Sequence, residues 1–102
     1  MERPPNLALV VFDNGHYGET GMQPSHTQAG VSLCGVARAC GIDAVFDITE
    51  AAALREFALR LRDFDRTIFA RIAIRADDPP RVLPPRDGVF LKNRFRHALG
   101  VE

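Results

Sequence analysis

The sequence predicts an α/β protein: a three-layer partial parallel sheet of about three strands with flanking helices. Three observations carry this. Leu7-Ala8-Leu9-Val10-Val11-Phe12 is an unbroken apolar run closed by the turn signal Asn14-Gly15, the habit of a strand covered on both faces. Two more short apolar runs, 42–48 and 67–74, each follow a stretch with helical spacing. Strand, helix, strand, helix, strand in that order builds a parallel sheet through right-handed crossovers.

The first strand ends at Asp13, and a long loop follows, from His16 to Gly30. Asn-Gly is also a two-residue hairpin signal, because both residues tolerate positive φ. A hairpin needs a second alternating strand directly after the turn, and 16–30 is polar and glycine-rich with no period of two. A functional loop is the stronger reading. The first helix is expected over Ser32–Cys40, with Ser32 accepting from the free amides and Gly41 as the left-handed stop. Leu33, Val36, Ala37 and Cys40 form its inward stripe. A strand then spans Ile42–Ile48, centred on Ala44-Val45-Phe46.

Thr49 or Asp47 can cap a second helix that buries Leu54, Phe57, Ala58 and Leu61 and wets Arg55, Glu56, Arg60, Arg62 and Asp63. Thr67–Ile74 reads as a well-buried strand. Residues 75–88 form an extended proline-rich arm, since Pro79, Pro80, Pro84 and Pro85 exclude helix and central strand. A terminal helix, 88–100, is capped by Asp87 and stopped by Gly100, with Phe90 or Leu91, Phe95, Ala98 and Leu99 on its contact side. The apolar first run and the open strand edges want neighbours this chain does not supply, so it reads as incomplete.

Bulk properties narrow the function. The 102 residues make one domain or a piece of one, 46% apolar and 25% charged. Thirteen basic residues balance thirteen acidic ones, which disfavours nucleic-acid and anionic-membrane partners. No stretch approaches the ~20 apolar residues of a membrane span, and Met1–Pro5 lacks a secretion signal's apolar core, so the expected setting is cytoplasmic. Cys34 and Cys40 are expected as small buried thiols, too far around their helix to bridge. Arg71, Arg75, Arg81 and Arg86 could pair with an anion but read as solvated.

The chemistry concentrates at Asp13-Asn14-Gly15-His16-Tyr17-Gly18. Open α/β sheets bind ligands at the carboxyl ends of their strands. An amide oxygen beside a glycine that permits close backbone approach suits a hard cation and the phosphates it carries. These residues, with Gly21-Met22-Gln23-Pro24, the helix entry Gly30-Val31-Ser32-Leu33 and the arm 78–88, resemble the carboxyl-terminal, diphosphate-binding domain of thiamine diphosphate-dependent enzymes. Within that group the chain is most similar to the phosphonopyruvate and sulfopyruvate decarboxylases, over residues 1–102 as a partial domain.

The resemblance implies a carbon–carbon lyase acting on a small 2-oxoacid with thiamine diphosphate and Mg²⁺. It implies Asn14 Oδ1 and the His16 carbonyl as metal ligands, and Asn14, Gly15, His16, Tyr17 and Gly18 as the cofactor wall. It assigns this chain no catalytic side chain. His26 falls to a loop role and His97 to solvent. The family's motif opens with an upstream Gly-Asp-Gly whose aspartate is also a metal ligand, and the residues before Asn14 contain none. The cofactor-activating glutamate of the family belongs to another domain. The chain is therefore expected to hold half a metal clamp, to be inactive alone, and to work as a homo-oligomer or with a chain carrying the missing domain. The alternative is a split or decayed fragment that serves as a non-catalytic interaction module.

Overall fold

Branched and aromatic side chains favour a pleated, packed backbone, and the three richest runs form one parallel sheet. The computed structural model describes residues 2–101. The sheet comprises β1 (Ala8–Asp13), β4 (Ala44–Ile48) and β5 (Ile68–Ala73). Between β1 and the first helix lie β2 (His16–Tyr17), a 3-10 turn at Gly18–Thr20, and β3 (Gln23–Pro24). The helices are α1 (Leu33–Ala39), α2 (Ala51–Arg60) and α3 (Gly88–Ala98).

Strand order is β1-β5-β4, so the last strand in sequence is the middle one in space. Its register sets Ala8 and Ala44 on either side of Ile68, and Phe12 and Ile48 on either side of Ile72. Alternation sends Ile68, Ala70 and Ile72 to one face, where they bury with Ile48 and Phe57 of α2. Phe46 stacks there at tilted angles, 5.4 Å from Phe57 and 5.3 Å from Phe64. Asp13, Asp47 and Arg71 take the other face and share a cleft with Leu33 and Cys34, which puts α1 on that side. The three layers expected from the sequence are therefore present: α1, sheet, α2.

Several packing expectations change. In α1 the buried pair is Cys34 and Ala37, while Val36 and Cys40 are exposed. The Cys34 thiol donates to the Phe46 carbonyl at 3.6 Å, and two small side chains let this short helix sit close to the sheet. Cys40 is thus not a buried thiol. Ser32 does cap α1, accepting from the Gly35 amide, and Gly41 stops it at φ +86°. The cap of α2 is Glu50, with no side-chain bond, because Asp47 is already engaged by Arg71. Of its expected stripe only Phe57 is buried; Leu54 and Leu61 stay exposed where no further layer covers them.

β1 is not covered on both faces. It is an edge strand, and Phe12 is 67% exposed. α3 is capped as expected, with Asp87 accepting from the amides of Val89 and Phe90, but none of its residues is buried. Its contact side, Phe90, Phe95 and Leu99, meets no covering layer among the described residues. The loop after β1 also differs. β2 and β3 form a two-pair antiparallel ribbon, built from the loop itself and not from β1.

Candidate functional site

The site grows from the carboxyl tip of β1. Asp13 is buried, and its carboxylate accepts from the Gly15 amide at 2.9 Å, the Thr27 hydroxyl at 2.8 Å and Arg71 Nε at 2.9 Å. Burial pushes this carboxyl up, but the bonds from Thr27, Gly15 and Arg71 together outweigh it and hold it below the ordinary aspartate range. Arg71 reaches Asp47 with its other arm, at 3.0 Å. One guanidinium thus ties the ends of β1, β5 and β4, and its bonds to Asp47 and Asp13 keep it firmly protonated.

Asn14 repeats the turn one residue later: its Oδ1 accepts from the His16 amide at 3.0 Å. Two such turns in succession coil the backbone over the strand tip. The backbone there favours glycine, and a side chain would also push the Gln28 tip aside. The φ of Gly15 is +71°, and a Cβ would stand 2.8 Å from Gln28 Oε1. Beyond it, the Gly15 carbonyl accepts from the Ser25 amide and the Tyr17 carbonyl from that of Met22. His16 and Pro24 face each other as a non-hydrogen-bonded pair, with the Ser25 amide on the Gly15 carbonyl beside them, so no amide of the ribbon bonds the His16 carbonyl. The His16 imidazole is held locally, with Nδ1 donating to the Asn14 carbonyl at 3.0 Å.

The expected residues are accordingly brought together in part. Asn14 and His16 are half-buried, Gly15 is buried, and Tyr17 points to solvent at 52% exposure. Gly18 opens the 3-10 turn, where a Cβ would meet Asn14 Nδ2 at 3.9 Å. His26 is exposed, contributing its carbonyl to the Val31 amide, and His97 is exposed on α3. A cleft of about 210 Å³ adjoins the strand tips on the α1 side, between Asp13, Arg71, Asp47 and Cys34. Burial, reinforced by Asp47, raises the Cys34 thiol and keeps it protonated.

For a hard cation the donors on offer are oxygens: the second lone pair of Asn14 Oδ1 and the free His16 carbonyl. The Asp13 carboxylate is turned inward, buried against Gly15, Thr27 and Arg71. Among the described residues no three His, Cys, Asp or Glu side chains converge on one point. Both are oxygens, the ligand type Mg²⁺ takes, and a six-oxygen shell would draw the rest from other groups.

The Asp13–Arg71–Asp47 clamp is the feature the sequence reading missed. In the sequence Arg71 reads as a solvated arginine, and Asp47, with Thr49, as a candidate cap of the second helix. The signal available was an arginine in the middle of an apolar strand, which calls for a carboxylate on each flanking strand.

In open α/β sheets ligands bind outside the carboxyl ends of the strands, and the glycine-turned loop of this chain lies at that end of β1. Comparison with known proteins then narrows the class. The chain is 32% identical over 98 residues to sulfopyruvate decarboxylase subunit beta of Methanocaldococcus jannaschii, covering 94% of this chain and 50% of that protein. It is sulfopyruvate decarboxylase-like along almost its whole length, and it spans about half the length of that relative. No family model and no solved structure matches it.

Proposed function

We propose that this chain is part of a thiamine diphosphate- and Mg²⁺-dependent 2-oxoacid decarboxylase of the sulfopyruvate or phosphonopyruvate type, and supplies the second half of its metal–diphosphate clamp. The observation that carries this is the double turn at the tip of β1, in which Asn14 Oδ1 accepts from the His16 amide and the ribbon leaves the His16 carbonyl unbonded. Similarity to a decarboxylase subunit over 94% of the chain supports it. Asn14 Oδ1 and the His16 carbonyl bind the cation. Gly15 and Gly18 keep side chains out of the space a diphosphate needs, and Tyr17 closes the neighbouring wall. Asp13 orients the loop and stays off the metal. When bound, thiamine diphosphate supplies the nucleophilic carbon and the electron sink for loss of CO₂. The remaining acidic ligand comes from a Gly-Asp-Gly segment outside these residues, and the working enzyme is a homo-oligomer or a pair of different chains.

Calorimetric titration with thiamine diphosphate and Mg²⁺ tests the division of labour. The expected result is weak or no binding to the chain alone, and micromolar binding once a Gly-Asp-Gly segment is fused upstream. Micromolar binding by the chain alone contradicts the shared clamp; a folded fusion that does not bind contradicts the cofactor.

A second reading has one observation in its favour. The uncovered apolar sides of α3 and β1 suit a non-catalytic module that pairs with another protein. Light scattering after size exclusion separates the two, since a well-behaved monomer at high concentration opposes the module.

A further inference from the structure

We infer that Arg71 is a positioning residue: acting through Asp13, it holds the 13–27 loop in the shape that presents Asn14 Oδ1 and the His16 carbonyl. The inference deepens the cofactor reading above and rests on it for the purpose of the loop.

The chain of contacts is continuous. Arg71 stands on the central strand between Ala70 and Ile72, both buried, so its backbone is among the best-fixed in the molecule. Its Nε–H meets Asp13 Oδ2, and its NH1 meets Asp47 Oδ1 on the opposite neighbour strand. A planar fork can satisfy two carboxylates on two sides at once; an ammonium is a point charge and cannot span them with the same geometry. With Oδ2 committed to Arg71, the carboxylate plane is set, and Oδ1 faces the Gly15 amide and the Thr27 hydroxyl. Thr27 is in turn bonded to the Ser25 hydroxyl at 2.7 Å, and the Ser25 amide donates to the Gly15 carbonyl at 2.8 Å. The two feet of the loop are therefore stitched to one carboxylate, and that carboxylate to one guanidinium. Asp47 is the outer arm: 53% of its side chain is exposed, and its hydrogen bond runs to Arg71.

Amide hydrogen exchange on the ¹⁵N-labelled 102-residue chain reads this directly, with Gly15 and His16 reporting the loop and the β5 amides reporting the fold. Four variants are compared: Asp13→Asn, Arg71→Lys, Thr27→Val and Asp47→Asn. The expected result is a fall of about tenfold in loop protection relative to β5 for Asp13→Asn and Arg71→Lys, as for loss of one charge-assisted bond. Thr27→Val, which deletes a single hydroxyl and is the variant safest for folding, lowers the same ratio by about threefold, within the worth of a neutral bond. Asp47→Asn leaves it unchanged. A merely structural clamp would lower loop and β5 together, with Asp47→Asn behaving like the others; that pattern overturns the inference. The readout contains no thiamine diphosphate, so its failure is distinct from failure of the calorimetric test of the cofactor.

Discussion

The carboxyl end of the sheet and the α3 region obey opposite rules. At the strand tips, every buried polar group is partnered: Asp13 takes three donors, Arg71 two carboxylates, and no buried side-chain polar atom lacks a partner among the described residues. In α3 the local signals are in order, with a two-bond cap and a glycine stop, yet no residue is buried. The radius of gyration is 17.0 Å, against about 13 Å for a compact chain of this length. Local chemistry can form a helix, but only a facing layer can bury it. The difference separates the part of the chain that satisfies its own polar groups from the part whose apolar side no described residue covers.

Substitutions can break that contrast. Ile68→Ala, at the most enclosed large side chain, is expected to cost about 2–5 kcal/mol in urea unfolding, whereas Phe95→Ala on α3 should stay within about 0.5 kcal/mol. Equal effects would mean that α3 packs in solution. Asp13→Asn comes next, and in the same urea experiment it should cost well under the figure for Ile68→Ala, because its bonds fix the loop and not the packed face of the sheet.

Acid should act through the same carboxylate. Because the folded-state pKa of Asp13 is depressed, its contribution is complete above the ordinary aspartate value, about 3.9, and is lost as pH falls through the lower folded value. Thermal unfolding of the native chain is therefore expected to weaken with acidification in that window, and more steeply than that of Asp13→Asn. A smaller effect sharpens the contrast within α1. A thiol reagent should label Cys40 promptly and Cys34 only on unfolding, because Cys34 is buried with its thiol pushed up. Prompt double labelling would show that α1 opens readily.

Much of the fold was legible in the sequence. The apolar runs, Ser32 and Asp87 as caps, Gly41 as a stop and the proline arm each act through their nearest neighbours, and local signals of that kind survive without knowledge of the tertiary structure. What was not legible depends on partners distant in sequence. Arg71 and Asp13 are 58 positions apart, and no local rule joins them. Asp47 could not be told from a helix cap until its strand was known to flank that arginine. The inward stripe of α1 was legible at Ala37 and in part at Leu33, and Cys34 is buried as its small thiol suggests, while Val36 and Cys40 turn outward because the short helix meets the sheet through its two small side chains. The ribbon at His16–Tyr17 and Gln23–Pro24 escaped because two pairs are too few to show a period. The motif itself was legible as a cluster, while the buried carboxylate that orders it was seen only as half of a pair.

The proposed metal ligation by Asn14 and His16 is open to paramagnetic broadening even where binding is weak. Substoichiometric Mn²⁺ is added to the ¹⁵N-labelled chain in the presence of thiamine diphosphate, and the spectrum is followed residue by residue. The expected result is that the Asn14 side-chain amide and the backbone signals of Gly15, His16 and Tyr17 broaden first, and that Asn14→Ala abolishes this pattern. Broadening that instead centres on the exposed acids Asp77 and Asp78, unchanged in Asn14→Ala, would contradict it.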